Sequence, residues 1–79
     1  MSQAPDERHN PALEEASREL EAAAHDARVA FDCIALGELN RAHTSALTAR
    51  VAADAAVTAL QAVLETADAA AVSAGGTSP

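Results

Sequence analysis

The sequence predicts an all-α fold: an antiparallel two-helix hairpin, with helices over 11–36 and 41–72, that dimerises into a four-helix bundle. Three observations predict it. Two long alanine-rich stretches, Pro11 to Leu36 and Arg41 to Val72, each carry apolar residues at the three-to-four spacing of one helix face. The segment Gly37-Glu38-Leu39-Asn40 interrupts them. Bulky apolar side chains are few for helices of this length, so the hairpin is expected to need a partner surface.

Residues 1–9 are polar, contain Pro5 and show no periodicity, which predicts a disordered arm. The first helix starts on a strong signal at Asn10-Pro11-Ala12-Leu13-Glu14-Glu15. Asn10 can cap the free N–H groups, Pro11 loses nothing at the first helical position, and the carboxylates face the positive helix end. Written in heptads, this helix places Leu13, Leu20, Ala27 and Ile34 in one row, Ala16, Ala23 and Ala30 in a second, and Ser17, Ala24 and Phe31 in a third. These rows are adjacent and form the expected packing stripe. On the far side, Glu14/Arg18, Glu21/His25 and Arg28/Asp32 stand four apart, positioned to pair across successive turns.

Gly37 is expected to end the helix in a left-handed conformation, and Asn40 to cap the next one. A single long bent helix is the alternative, because Leu36, Leu39, His43 and Ala46 keep helical spacing across the break. The second stretch repeats Ala46, Ala53, Leu60 and Ala67, with Ala49, Ala56, Val63 and Ala70 alongside. Val57, Leu64 and Ala71 widen the stripe on one side and Ala52 and Ala59 on the other. So many small residues predict close backbone approach, held by dispersion over many small groups. Antiparallel pairing then brings Leu13 near Leu64, Leu20 near Val57 or Leu60, and Arg50 near Asp26 or Ala27. The domain organisation is therefore an arm at 1–9, the hairpin at 10–73 and a flexible tail at 74–79, which includes Gly75-Gly76.

At 79 residues the chain holds one small domain. Its larger apolar side chains are seven Leu, five Val, Ile34, Phe31, Cys33 and Met1. Burial at roughly 25 cal/mol per Å² leaves such a set little surplus over an ordering cost of about 1.5 kcal/mol per residue. The expected partner is a protein or a second copy, with a homodimer as the simplest case. Nucleic acid is not expected, because the net charge is −7 and five scattered Arg stand among twelve carboxylates, with no Lys. The acidity also argues against an anionic membrane surface, and Asp54, Gln61, Glu65 and Asp68 interrupt the second stretch as a membrane span. A single cysteine and an N-terminus without the apolar core of a signal peptide make the cytoplasm the expected location, with leaderless secretion also compatible. The absence of Lys, Trp and Tyr beside abundant Ala and Arg suggests a GC-rich bacterial or phage genome.

Near the turn, Val29, Cys33, Leu36, Leu47 and Val51 fall outside the main stripes. With Phe31 and Leu39 they form the expected partner-binding set: Val29, Phe31, Cys33, Leu36, Leu39, Leu47 and Val51. Scattered surface hydrophobes are the plainer account of the same residues. Glu21, His25 and Asp32 share a face and carry the metal-site alternative, but they point away from the expected core and read better as solvated charge. Cys33 and His43 lack the electropositive pocket and oxyanion site of a thiol enzyme. No catalytic, cofactor or metal residue is therefore expected.

In length and hairpin architecture the chain resembles the small secreted partner proteins of type VII secretion. Gly37 alone stands at their Trp-x-Gly turn, and their C-terminal Tyr-x-x-x-Asp/Glu signal is missing because the chain has no Tyr. No residue role is carried over. The functional expectation is a small acidic non-enzymatic interaction module serving as adaptor, assembly or regulatory subunit. The alternatives are an export substrate or partner of a type VII-like system and a small helical metal-binding bundle.

Overall fold

Pro11 begins the first helix as its sequence signal requires, and the whole molecule follows from two such helices. The computed structural model describes residues 10–75, with side chains through residue 69. The expected arm at 1–9, residues 76–79 of the expected tail, and the side chains of Ala70 and Ala71 in the second stripe lie outside the described residues. Helix α1 runs Pro11–Ala35 and helix α2 runs Leu39–Gly75, packed against each other, with no strand among the described residues. The thinnest principal extent is 13 Å, about one helix diameter. The fold is a single layer.

The cap at the start of α1 forms as expected. The Asn10 side-chain oxygen accepts from the Ala12 N–H at 2.8 Å, and the Asn10 carbonyl accepts from the Glu14 N–H at 3.0 Å. At the other end the Gly37 N–H donates to the Ile34 carbonyl at 3.0 Å and the Glu38 N–H to the Cys33 carbonyl at 2.8 Å. This nested pair is the Schellman closure, which satisfies two carbonyls left free by the end of the helix. Gly37 sits at φ +77°, where an L side chain is strained. The chain turns back, and the single bent helix is excluded.

Asn40 is not the cap of α2. The Schellman turn reverses the chain within Gly37 and Glu38, so α2 starts at once at Leu39, with the Glu38 carbonyl accepting from the Ala42 N–H at 2.9 Å. Asn40 becomes an exposed residue of the first turn. The Glu38 carboxylate instead accepts from Arg41 at 2.9 Å. The second helix also continues past 72, through Gly75.

The seam differs from the expected stripe. Its buried residues are Ala16, Ala30, Cys33, Ala42, Ala52 and Ala56. With the half-buried residues between them, α1 contributes two rows, Ala16/Ala23/Ala30 and Ala12/Glu19/Asp26/Cys33. The matching rows of α2 are Ala42/Ala49/Ala56/Val63 and Ser45/Ala52/Ala59. Alternate steps of three and four make this a strict heptad contact. The row Leu13/Leu20/Ala27/Ile34 flanks the seam instead of filling it, with Leu20 49% and Ile34 61% exposed. Interaxial distance depends on the side chains at the contact. Small residues in both facing rows allow the backbones to come close along their length, which a row of leucines would prevent. Glu19 and Asp26 stand at half-buried positions, and the Asp26 carboxylate lies 3.4 Å from the His25 ring nitrogen. Among the described residues the three expected four-apart ion pairs do not close, and Arg41–Glu38 and His25–Asp26 form instead.

Gly37→Ala is expected to cost about 1–2 kcal/mol in urea denaturation. A new Cβ meets no atom within 4 Å, so that loss is backbone strain and not a clash. Ala56→Leu, at a seam position only 1% exposed, is expected to destabilise by about 1–3 kcal/mol through overpacking. A neutral Ala56→Leu would show that the seam is loose.

Candidate interaction surface

A seam of two rows per helix leaves two broad faces, one on each side of the contact. Helical phase places Leu13, Leu20 and Ile34 of α1 on one face, with Phe31 just behind. From α2 the same face receives Leu60, Val57 and Leu64. A shallow groove lined by Leu13, Glu14, Ala16, Ser17, Leu20 and Leu60 shows that the two rows adjoin across the seam. That agrees with the expected closeness of Leu20 and Leu60. Leu64 is 63% exposed, and Phe31 and Val57 are exposed as well. The Arg28 guanidinium lies 5.9 Å from the Phe31 ring centroid, so a cation stands at the rim of this face.

The other face is smoother. Ala12, Glu15, Ala55, Thr58, Ala59 and Ala62 line a shallow depression on it, and Val29, Leu36 and Val51 lie on this side nearer the turn. Thr48 and Thr66 return their hydroxyls to the carbonyls of Thr44 and Ala62 at 3.0 and 2.9 Å, so neither hydroxyl is held out as an isolated donor. A polar notch beside the turn is lined by Asn40, Arg41, Thr44 and Ser45.

The seven residues expected to bind a partner are thus distributed over several surfaces. Phe31 and Leu39 belong by phase to the leucine face, Val29, Leu36 and Val51 to the smoother face, and Leu47 to the outer edge of α2. Cys33 is in the seam, 4% exposed. The larger continuous surface consists of Leu13, Leu20, Ile34, Val57, Leu60 and Leu64, which periodicity alone assigns to the core. Their signal in the sequence was real, since they do share one face. What it left open was whether α2 or something else covers that face.

Of the metal alternative, Glu21, His25 and Asp32 are all exposed, and His25 is engaged with Asp26. Among the described residues no group of three His, Cys, Asp or Glu side chains is placed to hold a metal ion. Cys33 is buried while His43 is exposed, so the thiol and imidazole do not share an accessible site.

Against the expectation from its polar interruptions, the 31-residue stretch Leu39–Ala69 contains an 18-residue window with a mean hydropathy of 1.3, so this helix is long and apolar enough to cross a membrane. This is weak support for a span. Arg50 and Asp54 stand inside the stretch, and a charged residue at a bilayer centre costs about 2.5–3.5 kcal/mol on insertion scales.

No known protein family, curated protein or solved structure matches this chain.

The seam position of Cys33 has a direct chemical consequence. Native protein is expected to react slowly with a thiol reagent and fully once denatured, followed by absorbance with Ellman's reagent. Immediate native reaction would contradict the burial of Cys33.

Proposed function

We propose that this chain is a small acidic protein–protein interaction module, non-enzymatic, that works as an adaptor, assembly or regulatory subunit after pairing its leucine face with a protein surface. The observation that carries this reading is an inversion of bulk. The buried residues are alanines and one cysteine, while Leu20, Ile34, Val57, Leu60 and Leu64 are exposed. Contiguous apolar surface of this kind marks interaction sites in soluble chains.

A homodimeric four-helix bundle is the simplest assembly that covers the face, and the acidity of the chain fits a protein partner better than nucleic acid or an anionic membrane surface. Docking on a larger protein uses the same surface. The type VII-like alternative draws support from the hairpin shape, and it requires a helical partner of different sequence.

Size-exclusion chromatography with light scattering is expected to give twice the chain mass at micromolar concentration, and the melting temperature is expected to rise with protein concentration. A cooperatively melting monomer whose Tm is independent of concentration would overturn self-association.

A further inference from the structure

We infer that the leucine face is covered by a second copy stacked antiparallel, with each turn lying over the open end of its partner; this deepens the self-association proposed above and rests on it. The argument comes from the distribution of charge along the hairpin. In the open half, Glu14, Glu15, Glu19, Glu21, Asp54, Glu65 and Asp68 stand against Arg18 alone. In the turn half, Asp26, Asp32 and Glu38 are balanced by Arg28, Arg41 and Arg50. Stacking two copies with their turns at the same end would place the acidic halves together. The antiparallel arrangement sets each acidic half against a half that contains three arginines, and like charges brought together across an interface are costly.

The rim of the face gives the register. Glu21 and Arg28 lie on the same outer row of α1, one heptad apart. A two-fold axis passing between Ala24 and His25 places Glu21 of each copy beside the partner's Arg28. The Arg28 side chain already leans toward the face, over Phe31. The grooves join Ala12 and Glu15 to Ala59 and Ala62, and continuing that register brings Ala23 level with Ala52. The same axis therefore crosses α2 between Arg50 and Val51, so that the Arg50 side chains of the two copies meet there, each within a turn of the partner's Asp54. Phe31 and Ile34 then meet the Leu13–Leu20 region of the second copy.

At 1.5 Å per residue, α1 offers a face roughly 38 Å long and about two helix diameters wide, on the order of 750 Å² per copy. A standard stable interface uses about 800 Å² per partner.

Spin labels on Asn40→Cys in a Cys33→Ala background test the orientation by double electron–electron resonance. The expected intermolecular distance is roughly 30–40 Å, from the rise per residue between the turn and the axis. A distance under about 20 Å would place the turns together and overturn the antiparallel arrangement while leaving self-association standing. No intermolecular distance at concentrations well above micromolar would overturn self-association itself. Charge exchange provides a second test on the intact cysteine. Glu21→Arg and Arg28→Glu are each expected to weaken the homodimer roughly tenfold, because two symmetric pairs become repulsive, and an equimolar mixture of the two variants is expected to recover tight pairing. Failure of the mixture to recover would overturn the proposed register.

Discussion

Close approach of two small-residue rows is the constraint on which the rest of this structure depends. A seam built mainly from alanine, with Ser45, Cys33, Val63 and the half-buried Glu19 and Asp26 among its rows, gains little from any single side chain, and its stabilisation is spread over many short contacts between neighbouring backbones. Such a seam has a narrow tolerance. Bulk must be kept out of it, and the leucines, the isoleucine and Val29, Val51 and Val57 are displaced to its flanks, with Val63 entering only at its open end. Their exposure is therefore a consequence of how the hairpin closes and not a defect in its packing.

The turn serves the same constraint. Gly37 in the left-handed region closes α1 with two nested hydrogen bonds and delivers Glu38 directly as the start of α2. Such a short reversal leaves no slack, so the two helices enter register within one turn of each helix end: Cys33 on one side and Ala42 on the other are both buried. Glu38 and Arg41 then pair on the outside of the turn without entering the seam. A longer connection would allow the helices to slide by a turn, and alanine rows alone offer few features that distinguish one register from the next.

Displaced bulk and uneven charge together account for the proposed role. A single layer of two helices presents a broad apolar face with an acidic end and an electrically balanced end, and the proposed pairing with another surface rests on those two properties. Charge at the rim contributes orientation more than affinity, and the apolar row between the rims supplies the area. In the proposed pairing the seam sets the shape, the leucine face supplies the attraction, and the rim selects the direction.

The sequence by itself determined the local events. Asn10 and Pro11 start α1, Gly37 ends it, and the alanine-rich periodic stretches on either side become the two helices, because caps and left-handed turns act over a few neighbouring residues. Tertiary structure decided which row of α1 faces α2. The row Ala16/Ala23/Ala30 is flanked on one side by Leu13/Leu20/Ala27/Ile34 and on the other by Ala12/Glu19/Asp26/Cys33, and hydrophobicity read along the chain favours the leucines. That preference lost because the opposing rows of α2 are small, so the closest backbone contact is available only where both helices present small residues. The position of Asn40 was decided in the same way, by a turn that reached α2 before the expected cap. Side-chain size across a contact is a property of two segments at once, and a pattern read along one segment does not contain it.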